Sequence, residues 1–449
     1  MRIKNITFEF ENSLVSQQEL SRILCRLIPL IRKIKQSLRK RYASEFASLY
    51  LPSDSFLLKE IKKISAAYKK LDSLIIVGIG GSNLGTMAVQ EALLGKYHNL
   101  TSAPQIFYSD TVDSFAMKGL LDIINKKLKA RRRILINCIS KSGRTTETIA
   151  NFEVLLKAIK QTRASSRKNV VITTDRDSPL WSLSKKHGFQ LLEIPKKVGG
   201  RYSVLSAVGL FPLAVMGIDI EQLQAGAKLM RGKGMNLELL KNPPAIDAAL
   251  SYYHYQHNKN ISEFFLFSTQ LESVGKWYRQ LLAESTGKEW DRAHTKQTYT
   301  GITPSVSIGS TDLHSMAQLY FGGPADKFTT IVTIENTPVI NLPTLEEFES
   351  LVPYIQGKSF SDIMQAIIKG TKLAFRKQKR PFIQISLKSL DEFSLGQLLQ
   401  HEMLKVIYLC YLLDVNPFDQ PNVESYKIET KKVLGSLGKI NQKSNIRKV

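Results

Sequence analysis

Ser140-Lys-Ser-Gly-Arg-Thr-Thr-Glu-Thr148 is the stretch on which the fold turns. Before it lies the apolar run Arg133-Ile-Leu-Ile-Asn-Cys-Ile139, which has the length and branching of a fully buried strand. After it, Ile149 to Lys160 carries apolar residues at helical spacing. A loop of hydroxyls and glycine therefore joins a strand's end to a helix's start. Backbone N–H groups and the positive end of the helix dipole converge there, and Ser140, Lys141, Ser142, Thr145 and Thr148 add donors. Phosphate is the natural occupant of such a loop. Plain capping of the helix by Ser or Thr is the alternative.

A second loop of the same kind lies upstream. Leu74-Ile-Ile-Val77 reads as a buried strand, Gly78-Ile-Gly-Gly-Ser82 as a glycine-rich turn, and Leu84 to Leu94 as a helix. Ser82 has the position to cap that helix or to meet an oxyanion. The glycine spacing is not that of a dinucleotide fingerprint, and no Gly-Lys-Ser/Thr closes it as a nucleotide-phosphate loop. Two such loops after parallel strands, without nucleotide motifs, point toward a sugar phosphate.

Further strands are expected near Gln105–Tyr108, Val170–Thr173 and Phe189–Ile194, with helices at Val112–Leu128 and Val204–Met216. Alternation of strand and helix predicts an α/β fold, a mainly parallel sheet covered by helices on both faces. The second half repeats the theme. Strands are expected at Glu263–Phe267, Phe328–Ile334 and Phe382–Ser386. Helices are expected at Ile220–Gly232, Pro244–His257, Ser273–Leu282, Asp312–Tyr320, Phe360–Lys377 and Leu395–Leu413. Residues 1–70 read as a helical lead-in, and Glu284–Gly309 as rich in loops. The expected organisation is two α/β/α sandwiches: the lead-in and larger domain over 1–218, a smaller domain over 219–415, and a C-terminal extension over 416–449. The tail after Gly435 is basic and expected to fray.

Composition narrows the class. At 449 residues, 43% hydrophobic and 23% charged, the chain has length for sizeable cores. Cys25, Cys138 and Cys410 are far apart and odd in number, so they read as reduced, buried thiols rather than a disulfide framework or zinc site. Glu9 and Glu11 interrupt the apolar region a secretory leader needs, and Tyr202–Ile218 is marginal as a membrane span, with Pro212 inside it. A cytoplasmic protein without membrane contact is the expectation. The formal net charge of +24 is spread along the chain and lacks interleaved aromatics, so it reads as solvated surface rather than a nucleic-acid platform.

Other candidate segments are Gly199-Gly-Arg201, Gln280-Leu-Leu-Ala-Glu-Ser-Thr-Gly-Lys288, Asp312-Leu-His314 and Phe418-Asp-Gln-Pro-Asn-Val-Glu-Ser-Tyr-Lys427. Singly, each has a structural reading: surface cation, helix-end carboxylate, core histidine. In order and spacing they resemble the glucose-6-phosphate isomerase (phosphoglucose isomerase) family of sugar-isomerase (SIS) domain proteins. The marks are Gly78-Ile-Gly-Gly-Ser-x-Leu-Gly85, Ser-Lys-Ser-x-x-Thr-x-Glu-Thr148 and Val-Gly-Gly-Arg-Tyr-Ser203. Glu-Ser-x-Gly-Lys288, Thr-Asp-Leu-His314 and Asn-Pro-Phe-Asp-Gln-x-x-Val-Glu-x-x-Lys427 complete them.

The resemblance implies two SIS-type sandwiches and interconversion of glucose 6-phosphate and fructose 6-phosphate without metal or cofactor. It implies Glu284 as the base moving a proton between C2 and C1, and Arg201 as the group meeting the charge on a cis-enediol. His314 and Lys427 would serve ring opening and hydroxyl proton shuttling. Ser82, Ser140, Lys141, Ser142 and Thr145 would hold the phosphate, with Gly81, Gly200, Gln280 and Gln420 completing the pocket. It also implies a homodimer whose histidine crosses the interface. Asn422 stands where the family pattern has glycine, which raises the expectation of a positive φ there. Two other readings stay open from sequence: a non-catalytic sugar-phosphate sensor, and an isomerase that also accepts mannose 6-phosphate.

Overall fold

The computed structural model describes residues 1–160 and 167–446, with side chains through residue 436. The chain opens with two short strands, β1 (Arg2–Ile3) and β2 (Ile6–Glu9). The next five are β3 (Ser73–Val77), β4 (Gln105–Ser109), β5 (Ile134–Ile139), β6 (Val170–Thr174) and β7 (Gln190–Glu193). They form one sheet in the order β4-β3-β5-β6-β7, every pair parallel. The chain steps from β3 to β4 on one side and then to β5 on the other. In an open α/β sheet that reversal leaves a crevice beyond the strand ends, where ligands bind. The loops opening it are the two phosphate-type loops, 78–83 and 140–145.

The remaining strands are β8 (Ile261–Leu266), β9 (Lys288–Trp290), β10 (Gln297–Thr300), β11 (Thr303–Ile308), β12 (Lys327–Asn336) and β13 (Phe382–Ser389). The second sheet runs β1-β2-β13-β12-β8-β11, and among the described residues β9 pairs with β10 alone. β13, β12, β8 and β11 are parallel; β2 joins β13 antiparallel, Phe8 opposite Ile385. The N-terminal lead-in is thus helical only after its first residues: Ile3, Ile6 and Phe8 are buried at that sheet. Strands β9, β10 and β11 all lie inside the expected loop-rich stretch.

Central strands are buried on both faces, as the continuous apolar runs require. Along β3, Leu74 and Ile76 face the large core shared by both sheets, while Ile75 and Val77 face a smaller core under the outer helices. On β8, Phe264 and Leu266 face the shared core, and Phe265, with Phe267 just past the strand, faces a third cluster. The helix Ala207–Val215, apolar all round, is buried at every residue but Ala214. Pro212 within it cannot donate to the carbonyl of Val208, and the Thr86 hydroxyl donates there instead, at 3.4 Å. Cys138 and Cys410 are buried as expected, whereas Cys25 is exposed.

The C-terminal segment forms a helix, Glu424–Ile446, through most of the tail expected to fray; residues 447–449 lie outside the described residues. Among the described residues, no helix is long and apolar enough to cross a membrane.

Candidate active site

Glycines bring the site's parts together. Gly80 has φ +58°, a conformation few side-chain-bearing residues adopt, and it packs beside the Gln280 amide. A Cβ on Gly81 would lie 2.2 Å from the carbonyl carbon of Gly200, so the two backbones touch. Ser203 ties the contact by donating to the carbonyls of Gly81 (3.1 Å) and Gly200 (2.7 Å). The glycine loop is thereby fixed against the turn Gly200–Tyr202, which carries Arg201. Ser82 does not cap the helix Leu84–Leu94, whose N-cap position Asn83 also makes no capping bond.

In the second loop Ser140 and Thr145 share a hydroxyl hydrogen bond of 3.0 Å, and Ser142 Oγ accepts from the Arg144 N–H. Lys141 reaches across to donate to the Val198 carbonyl at 3.0 Å, linking this loop to the Arg201 turn. Burial lowers the Lys141 ammonium pKa, with Asp175 opposing. Gly143, at φ +63°, leaves room for Leu180, whose Cβ would be 2.8 Å from an added methyl.

Glu284 lies in the last turn of the helix Glu272–Thr286, longer than the Ser273–Leu282 expected, and is partly exposed. Its Oε2 accepts from Arg201 Nη1 at 3.0 Å and its Oε1 from Gln280 Nε2, one turn back, at 2.9 Å. Both oxygens are thus held. Gln280 Oε1 is buried without a hydrogen-bond partner among the described residues.

Arg201 is 2% exposed and completely engaged. Nε donates to Ser285 Oγ (2.8 Å), Nη1 to Glu284 and to Gln420 Oε1 (2.9 Å), Nη2 to the carbonyls of Pro417 (2.6 Å) and Asp419 (3.0 Å). A guanidinium has five N–H donors, and these contacts use all five. Tyr202 follows, its hydroxyl 3.0 Å from Ser285 and its ring 5.6 Å from Phe418, which anchors the acceptor segment in the core.

His314 and Lys427 stand apart from this cluster. His314 is exposed after the turn Thr311–Leu313, at the end of β11. Among the described residues its side chain makes no hydrogen bond or ion pair with Glu284, Arg201 or Lys427. Lys427 donates to Glu424 Oε1 at 2.7 Å within its own helix. Asn422 sits in the turn Pro421–Val423 without positive φ, its amide donating to Glu289. The expected φ is therefore wrong: the side chain finds a partner in an ordinary conformation. Sequence reasoning passed over Ser285 and the Pro417 and Asp419 carbonyls. Ser285 lies inside a quoted motif, but main-chain acceptors leave no residue-type signal.

Three potential metal ligands meet elsewhere. Asp247, His401 and Glu402 are buried with ligand atoms within 4.8 Å of one another, a cluster invisible to sequence spacing because Asp247 is 154 residues from His401. Lys405 Nζ stands 3.2 Å from Asp247 and 3.4 Å from Glu402. Its ammonium supplies the positive charge there, and the donor set fits a buried ion-pair network better than a metal.

The sequence profile described as phosphoglucose isomerase matches residues 60–447. A glucose-6-phosphate isomerase from Carboxydothermus hydrogenoformans is 32% identical over 411 residues, 89% of this chain and 86% of that protein. One from Shouchella clausii is 35% identical over 404 residues, 86% of each. A solved hypothetical protein from Thermus thermophilus superposes with a TM-score of 0.85 at 29% identity, covering 96% of this chain and 99% of that one. A solved glucose-6-phosphate isomerase from Chlamydia trachomatis gives 0.82 at 19% identity, covering 97% and 90%, and so shares the fold.

Proposed function

The chain belongs to the phosphoglucose isomerase family, and from that premise we propose that it interconverts glucose 6-phosphate and fructose 6-phosphate by proton transfer through a cis-enediol. The observation carrying this reading is a carboxylate, Glu284, held by Gln280 and by the buried cation Arg201 beside two phosphate-type loops.

Glu284 takes the proton from one of the two reacting carbons and returns it to the other. A base placed this way contributes about 10²–10⁴-fold. Arg201 acts through its charge: with five donors engaged, it lowers the energy of the developing enediolate at short range, where burial limits screening by water. Ser82, Ser140, Lys141, Ser142 and Thr145 hold the phosphate, with backbone N–H groups at the two helix starts. That anchor supplies binding energy far from the reacting carbons and keeps the open chain aligned. Gly81 and Gly200 shape the floor, Gln420 flanks Arg201, and Gln280 completes the pocket beside Glu284.

His314 and Lys427 open the ring and move hydroxyl protons. The exposure of His314 away from Glu284 supports a homodimer in which the partner subunit supplies it. The reading needs no cofactor, no membrane and no nucleic acid, and it places the enzyme in the cytoplasm. The test is a coupled assay for glucose 6-phosphate formed from fructose 6-phosphate, repeated with mannose 6-phosphate and with a chelator. Turnover of the first, unaffected by chelator, is expected. A binding signal with no turnover would favour the sensor.

A further inference from the structure

Lys288 belongs to a quoted motif yet has no part in the mechanism above. It follows the helix that carries Glu284 and begins β9, and its side chain is 5% exposed. Its ammonium donates to the Glu284 carbonyl at 2.8 Å and to the Asp419 carbonyl at 2.6 Å, and it forms an ion pair with Asp419 Oδ1 at 3.1 Å. The first contact caps the C-terminal end of the Glu284 helix with a cation. The other two grip the segment whose carbonyls and Gln420 hold Arg201.

The Asp419 carbonyl accepts from Lys288 and Arg201 at once. Two buried cations, one from the first half of the chain and one from the end of the Glu284 helix, thus share one short segment between the helices Glu392–Leu412 and Glu424–Ile446. That segment has no regular hydrogen-bond ladder of its own; these donors, Phe418 in the core and the Asn416 side chain, which donates to Asp419 Oδ2 and accepts from the Phe418 N–H, hold it in place. Removing Lys288 would free the Glu284 carbonyl and one side of the segment together.

We propose that Lys288 is a positioning residue, clamping the Asp419–Gln420 segment to the end of the Glu284 helix so that Glu284 and Arg201 keep their mutual geometry. The proposal rests on the isomerase reading. Burial first, and Arg201 second, lower the Lys288 pKa, with Asp419 opposing.

The experiment measures kcat and KM for fructose 6-phosphate in Lys288→Met, Asp419→Asn, Glu284→Gln and the Lys288→Met/Glu284→Gln double variant. Binding of a hexitol 6-phosphate, which cannot react, is read alongside. A misplacement near 1 Å typically costs about 10²-fold in rate, so Lys288→Met should lower kcat by about that factor with hexitol phosphate affinity within about threefold of wild type. In the Glu284→Gln background the same substitution should cost less than about threefold, because the group it positions is already gone. A full additional loss there, or wild-type kcat in Lys288→Met, would overturn the proposal. Should Lys288→Met fail to fold, Asp419→Asn decides: it leaves the backbone contacts, and a kcat lowered about 3- to 10-fold at unchanged KM supports the clamp, whereas unchanged kcat refutes it. Inactive wild type would overturn the isomerase reading and this proposal together; active wild type with indifferent Lys288 and Asp419 variants would overturn the proposal alone.

Discussion

Arg201 Nη1 lies 3.0 Å from Glu284 Oε2, and the two residues come from different halves of the chain, 83 positions apart. The arginine is almost fully buried and the carboxylate is partly open. Such asymmetry suits a base that must reach a substrate while a fixed charge stays behind it.

Arg201→Lys keeps the charge and loses the fork that engages Ser285, Glu284, Gln420 and two carbonyls. The charge remains, so the loss comes from the partners the fork held in place: turnover should fall about 10²-fold, with a smaller change in sugar-phosphate affinity. Steady-state kinetics and calorimetric titration check this. A raised KM at unchanged kcat would place Arg201 in ground-state binding only.

Gly81→Ala would put a methyl 2.2 Å from the Gly200 carbonyl carbon, where only backbone can yield. Overpacking of this kind typically costs about 1–3 kcal/mol. The displaced Arg201 turn should lower kcat/KM by about 10². Thermal unfolding and kinetics on the same sample separate the two effects.

His254 predicts an acid limb of stability. Its Nε2 is 2.8 Å from the Ser13 carbonyl, its buried Nδ1 has no hydrogen-bond partner among the described residues, and its ring stacks on Phe328. Burial lowers its pKa to about 4; the Ser13 contact opposes this, while Lys259 and His257 add to it. The neutral ring is favoured in the folded state, so its stabilising contribution is intact above the unfolded value near 6.5 and is lost as pH falls toward 4. At 1.36 kcal/mol per pKa unit, the loss is about 3 kcal/mol. Denaturant unfolding of wild type and His254→Gln from pH 7 to 4 should show a shallower decline in the variant. Parallel declines would refute the assignment.

If the partner subunit supplies His314, two dead variants should rescue each other. Random reassociation of His314→Ala with Glu284→Gln makes half the dimers mixed, each with one intact site, so about a quarter of wild-type activity should return. No recovery, with subunit exchange verified, would place both residues in one subunit's site.

Local pattern carried far in this chain. β3 and β5 lie where apolar runs end in glycine or hydroxyl loops, because buried parallel strands and helix starts leave strong local marks. The hairpin β1–β2 was not legible: Ile3, Ile6 and Phe8 are too few to set a period, and their partner β13 lies almost 380 residues away. β11 was hidden by its polar content, Thr-Pro-Ser-Val-Ser-Ile, at the edge of the second sheet. Within the site, the motifs marked Arg201, Gln280, Glu284 and Gln420, which the fold brings together. The sharing of the Asp419 carbonyl by Arg201 and Lys288 left no such mark, since a carbonyl looks alike in every residue.

The most direct test follows solvent hydrogen. In heavy water, nuclear magnetic resonance of fructose 6-phosphate with wild-type protein should show deuterium entering at C1, as expected when a carboxylate holds the migrating proton briefly and exchanges it. Glu284→Gln, still binding sugar phosphate, should lose exchange and turnover together, by on the order of 10³-fold or more. Deuterium entering at the wild-type rate in Glu284→Gln would contradict the account.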